Sequence, residues 1–191
     1  VIDLLLSIDP ALHGCGCALW EEGTLIAAGY APTALGRATN VETVARAVQS
    51  AFAAHQWALK QGRSPYVQLV FELPQIYQRG ANKSKGDPNN NVLPLAMVGA
   101  ALAMQSFAQV STYQPHAWKG TTQKPKSVKE EVDEGKVYII KQRALDRLLD
   151  VEKAKIDWSG SVERSWDVAD AIAIGLHHLG RFERKRVFAR E

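Results

Sequence analysis

Residues 3–31 read DLLLSIDPALHGCGCALWEEGTLIAAGYA. The apolar run Leu4-Leu5-Leu6-Ser7-Ile8 has the composition of a buried strand, and it ends at Asp9-Pro10. Residues 14–20 and 24–31 read as two further strands, joined by a hairpin turn at Glu21-Glu22-Gly23. Beyond them, Val41, Val44, Ala45, Val48, Phe52 and Ala53 recur at helical spacing. With Asn40 as N-cap and Gly62 and Pro65 as terminators, they predict a helix over 41–61. A fourth strand is predicted over 67–73, an apolar helix over 92–107 and a short fifth strand over 110–113. A charged helix over 127–149 and a last helix over 166–180 follow, with 150–162 irregular between them. Strand–helix–strand crossovers are right-handed and join parallel strands. The expected fold is therefore α/β, a mixed five-stranded sheet with its first three strands antiparallel and helices on both faces.

Four acidic residues stand at element ends within this pattern. Asp9 closes the first strand and Glu72 closes the fourth, after Val67-Gln68-Leu69-Val70-Phe71. Asp167 and Asp170 are three apart at the predicted start of the last helix, in Trp166-Asp-Val-Ala-Asp-Ala-Ile-Ala-Ile-Gly175. If the first and fourth strands are parallel neighbours, both of their acids emerge at one edge of the sheet. The i, i+3 pair then shares one helix face that can lie over them. Like charges brought this close repel and raise each other's pKa, and a divalent cation removes that penalty. Oxygen-only ligands suit Mg²⁺ or Mn²⁺. Four of them suit two ions about 4 Å apart, an arrangement that serves phosphoryl displacement. The plainer reading of Asp167 and Asp170 alone is complementarity to the helix dipole. Against it, Ala169, Ala171 and Ile172 flank Asp170, where an unpaired carboxylate would be costly.

Length and composition bound the rest. At 191 residues, 46% hydrophobic and 23% charged, the chain suits one globular domain over 1–180 with a basic tail over 181–191. No apolar stretch reaches the length of a membrane span, no signal-peptide pattern opens the chain, and a reducing cytoplasmic setting is expected. Cys15 and Cys17 are the only cysteines, and they read as strand packing residues rather than zinc ligands. Net charge is only +3 but unevenly placed. Residues 73–85 carry Arg79, Lys83 and Lys85 without an acid, and 118–129 carry Lys119, Lys124, Lys126 and Lys129 without one. The last eleven residues hold five cations and two anions. Solvated loops would account for any one of these segments. All three beside four acids point to a polyanionic substrate.

Ser7-Ile8-Asp9-Pro10, the acid after the fourth strand and the Trp166–Gly175 motif together resemble RuvC-type Holliday junction resolvases of the ribonuclease H-like superfamily. The resemblance covers nearly the whole chain in element order. It implies a homodimeric, Mg²⁺-dependent endonuclease with two ions per site, which makes paired nicks in four-way DNA junctions. Carried over residue by residue, it implies Asp9, Glu72, Asp167 and Asp170 as metal-binding catalytic acids. Lys119 would be the basic catalytic residue after the fifth strand, and Lys126 or Lys129 a second lysine near the scissile phosphate. Tyr77 is the nearest match to an aromatic that wedges into the junction, with Arg79, Lys83 and Lys85 as further DNA contacts. Ala11 stands where the family usually has Gly, and the loop after Glu72 is long, departures that suit a phage or divergent member. An enzyme cutting forks, flaps or RNA–DNA hybrids is the alternative, and a silent DNA-binding scaffold a remoter one. An actin-like ATPase is disfavoured by the absence of a Gly-rich phosphate loop. His177 and His178 read as partners of a helix C-terminus, and the helix at 92–107 as either core or dimer surface.

Overall fold

Strand β1 (Leu4–Asp9) is buried along its whole length, as its unbroken apolar run requires of a strand covered on both faces. It lies at the centre of a five-stranded sheet of order β3-β2-β1-β4-β5. The computed structural model describes residues 3–33, 41–62, 68–73, 92–105, 109–119, 138–158 and 160–182. Strands β2 (Gly14–Glu21) and β3 (Thr24–Pro32) form the expected antiparallel hairpin, and β1 pairs antiparallel with β2. Strands β4 (Gln68–Glu72) and β5 (Gln109–Tyr113) add in parallel on the other side of β1. This is the expected mixed α/β sheet, antiparallel on one side of β1 and parallel on the other.

Alternation along the strands divides the core into two layers. Leu6, Ile8, Cys17, Leu19, Leu69 and Phe71 face helices α1 (Val41–Lys60) and α2 (Val92–Gln105). There α1 contributes Ala47, Ala51, Ala54 and Ala58. Both cysteines are buried in this layer and form no disulfide, as packing residues would be. Leu5, Ala18, Trp20 and Val70 face the opposite layer, which is built largely by the last helix and by Ile140 and Ala144.

Three boundaries differ from expectation. After the one-turn helix α3 (Pro115–Trp118), helix α4 (Ile139–Leu145) ends well before residue 149, and residues 127–137 of the predicted charged helix lie outside those described. The chain turns there because Leu148 is drawn into the core. Within the stretch read as irregular, a short helix α5 (Asp150–Lys153) follows, started by the Leu149 N–H donating to Glu152 Oε2 at 2.8 Å. Residues 155–157 then cover the edge strand. Ala28 donates its N–H to the Lys155 carbonyl at 3.1 Å, and Asp157 donates to the Ala28 carbonyl at 2.7 Å. At Ala28 the edge is thereby already paired. Finally, helix α6 (Val162–His178) starts four residues earlier than predicted, with the Ser161 hydroxyl accepting the Arg164 N–H.

Arg181, assigned by sequence to the basic tail, is instead part of the folded body. Its guanidinium donates to both carboxylate oxygens of Glu152, at 2.9 and 2.8 Å, and to the carbonyls of Gly23 and Arg147. The buried Glu152 carboxylate also accepts the Leu25 N–H at 2.9 Å. One ion pair thus ties the β2–β3 turn, α5 and the end of α6 together. Burial alone would raise the Glu152 pKa, but the Arg181 side chain and the two backbone N–H groups outweigh it and hold the carboxyl at about 2. A depressed carboxylate stabilises the fold above its unfolded pKa, here 4.5, and loses that contribution as pH falls towards 2. The contribution is about 3 kcal/mol by the usual conversion of a pKa shift. Urea unfolding followed across the acid range is expected to show this loss. Glu152→Gln should be less stable at neutral pH and show a flatter acid limb, and an unchanged acid limb would contradict the assignment.

Candidate active site

The positions of Asp9 and Glu72 follow from strand parity. Asp9 is in phase with Leu5 and Ser7, and Glu72 is in phase with Val70, so both side chains belong to the layer that α6 occupies. The parallel register sets Ile8 opposite Phe71, which brings the next residues, Asp9 and Glu72, to the same edge of the sheet. Pairing continues to the very end of β4, where Leu73 donates its N–H to the Tyr113 carbonyl at 2.9 Å. The backbone that carries Glu72 is thereby held on both sides.

Helix α6 approaches this edge unusually closely. Gly16, opposite Asp9 in the sheet, leaves no room for a side chain, since a Cβ there would stand 2.0 Å from the Asp167 carbonyl oxygen. One end of α6 therefore rests its backbone on β2 beside Asp9. Two turns on, a Cβ at Gly175 would stand 2.3 Å from the Trp20 indole nitrogen. Between these two contacts the Ser7 hydroxyl donates to the Ala171 carbonyl at 2.9 Å and accepts the Trp20 N–H at 2.9 Å. Because α6 begins at Val162, Asp167 and Asp170 lie beyond its first turn, where the dipole effect has faded. The helix-start reading of these two acids is thus corrected. They sit on the face that meets the sheet, and Asp170 is fully buried.

Lys119 stands among these acids. Strand β5 ends opposite Glu72, and Pro115 at the first position of α3 starts the single turn that delivers Lys119 to the same edge. Its Nζ is 3.1 Å from Glu72 Oε2, 3.9 Å from Asp170 Oδ2 and 4.7 Å from the centre of the Trp118 ring. Burial pulls the Lys119 pKa down, but the charges of Asp170, Glu72 and Asp9 outweigh it, so the ammonium holds its proton more tightly than usual. The field of Asp167 is felt on the β2–β3 side of Asp9. Tyr30 is pushed up to about 12, first by burial and next by Asp167, with Asp9 adding to it. Cys15 is pushed up to about 11, mainly by burial, with Asp9 and Asp167 contributing. Asp9 therefore acts on both sides, together with Glu72 and Asp170 at Lys119 and with Asp167 at Tyr30 and Cys15.

The chemistry of the donors fits a hard divalent cation: the carboxylates of Glu72 and Asp170, with Asp9 nearby, are all oxygen and already face a cation, the Lys119 ammonium. As the side chains lie, no three acidic, His or Cys groups among the described residues converge as a ligand set. The ammonium takes the space between Glu72 and Asp170, so binding of an ion there requires it to yield.

Sequence reasoning missed Tyr138, whose buried hydroxyl donates to Asp170 Oδ1 at 2.5 Å. Nothing in its surroundings, Val137-Tyr138-Ile139, marks it as more than a core aromatic. The aromatic support of Lys119 by Trp118 was missed as well. His177 and His178 meet Tyr113 rather than serving only a helix end, and the Tyr113 hydroxyl is 3.0 Å from His178 Nδ1. Tyr77, Arg79, Lys83, Lys85, Lys126 and Lys129 lie outside the described residues.

No protein-family model matches the sequence, and no curated protein matches it. Among solved structures, the chain is similar to RuvC of T. thermophilus in complex with a Holliday junction substrate, at 18% identity over 92% of each chain and a TM-score of 0.48. It is similar also to a second Thermus thermophilus RuvC structure, at 16% identity over 93% of this chain and 97% of that one, with a TM-score of 0.45.

The Gly16 contact provides a direct test of how the site is assembled. Gly16→Ala is expected to force α6 away from β2, at a cost of roughly 1–3 kcal/mol or more, as overpacking of a dense interior does. Chemical unfolding of the variant checks this, and parental stability would show that the helix does not rest on this glycine.

Proposed function

We propose that this chain is a divalent-metal-dependent, structure-selective endodeoxyribonuclease that resolves four-way DNA junctions by paired nicks. The observation that carries the nuclease reading is the gathering of Asp9, Glu72 and Asp170 about Lys119 at one sheet edge, with Asp167 on the helix backbone that rests on Gly16 opposite Asp9. In this reading the four acids hold Mg²⁺, or Mn²⁺ in its place, and the ions supply Lewis acidity toward the attacking water and the leaving 3′-oxygen. The chain's own residues do the remaining work. Rigid strand ends and the α6 backbone position the carboxylates. Lys119, once it yields the space between Glu72 and Asp170, would offset charge that develops on the phosphate in the transition state.

Two further features support a nucleic-acid substrate. The basic segments containing Tyr77, Arg79, Lys83 and Lys85 and containing Lys126 and Lys129 both begin at the acidic edge, one after Leu73 and the other after Lys119. Phosphate contacts from such segments give an affinity that falls steeply with salt. The four-way junction as target rests on the resemblance of the three acid-bearing motifs to RuvC-type resolvases. Paired nicks require two active sites and hence a homodimer. Helix α2 is one candidate surface for it, since it buries Val98 and Leu102 in the core while leaving Met104 86% exposed.

Labelled four-way junctions, forks and RNA–DNA hybrids incubated with Mg²⁺ separate the readings. Symmetrical paired nicks confined to the junction are expected. Cleavage of the hybrid or fork with an intact junction would keep the nuclease and reject the resolvase. Asp170→Asn is expected to abolish Mg²⁺-dependent nicking while sparing junction binding in Ca²⁺, and retained cleavage by that variant would remove Asp170 from the site.

A further inference from the structure

We infer that Tyr138 is a positioning residue that orients Asp170 as a metal ligand, an inference that rests on the nuclease reading. The Asp170 carboxylate is buried and has two oxygens in different surroundings. Oδ1 accepts the Tyr138 hydroxyl at 2.5 Å, and Oδ2 faces the Lys119 ammonium at 3.9 Å. The hydroxyl thus takes one oxygen and turns the other toward the space where a cation stands. Tyr138 is itself fixed, since it is buried beside Trp166, with ring centroids 6.0 Å apart and planes tilted by 58°. It also immediately precedes α4, whose Ile140 and Ala144 belong to the same core layer. A donor on a rigid element reduces the rotational freedom of the carboxylate before any ion arrives. Hydrogen bonds to ligating carboxylates commonly govern metal affinity in this way.

Tyr138→Phe keeps the ring against Trp166 and removes only the donor. In the full-length protein without DNA, calorimetric titration with Mn²⁺ is expected to show roughly tenfold weaker binding for this variant, the low end of the usual effect of losing such a partner. The Mg²⁺ concentration for half-maximal nicking should rise in step, and the rate at saturating Mg²⁺ should change little. A merely structural role would lower the melting temperature and leave Mn²⁺ affinity where it was, and that result would overturn the inference. The double variant supplies a second test. Tyr138→Phe should add no further loss of Mn²⁺ binding to Asp170→Asn, because its effect passes through that carboxylate. An additional independent loss would also overturn it. A parental protein that binds no Mn²⁺ would instead remove the metal-site reading itself, an outcome distinct from a variant that matches a binding parent.

Discussion

Four carboxylates cannot share one buried edge of a sheet unless positive charge stands among them. Each would raise the pKa of its neighbours, and a buried carboxylate without a partner is costly in its own right. Here the charge comes from Lys119, set between Glu72 and Asp170 and within the field of Asp9. The carboxylates in turn raise the pKa of a lysine that burial alone would lower. Neither the acids nor the ammonium would be stable in this place alone. Removing one member of such a cluster leaves the rest uncompensated, so its parts are more strongly interdependent than exposed ion pairs.

The same edge shows why the acids come from regular elements. Asp9 and Glu72 are placed by strand parity and a parallel register, and Asp167 and Asp170 by a helix seated directly on Gly16. Positions set by hydrogen-bonded backbone vary less than positions on loops, and catalytic geometry tolerates little error. The stretches of sequence that follow Leu73 and Lys119 carry lysines and arginines instead. A contact to a phosphate along a long polyanion demands less precise placement than a ligand to an ion. In the proposed reading, acids on strands and helix and bases in the intervening sequence would match the tolerance of each task.

Much of this was legible in the sequence, and the exceptions have physical causes. The five strands, the hairpin and the four acids could be read because buried strands announce themselves by unbroken apolar runs. Asp9 and Glu72 then stand out as charges that end such runs. The start of α6 was misread because its first turn, Val162-Glu163-Arg164-Ser165, is mostly polar and the apolar pattern begins only at Trp166. The cap at Ser161 lies ahead of that pattern. The break after Leu145 was hidden because helical propensity continues across it, and only the burial of Leu148 and Glu152 stops the helix. Tyr138 could not be found from sequence at all. Its role depends on a contact across 32 positions of chain, and its type and surroundings suit any core aromatic.

Charge balance gives the lysine a second significance. Four ionised carboxylates and one ammonium carry a net charge of minus three. Two divalent ions, as the proposed reading requires, would turn this into plus one. A phosphodiester brings one negative charge, so the site reaches neutrality only when ions and substrate are present together. Without Lys119 the ions alone would balance the acids, and the phosphate would add an uncompensated charge to a partly buried site. In that reading, the ammonium that offsets the acids in the folded chain would also leave a positive charge for the substrate.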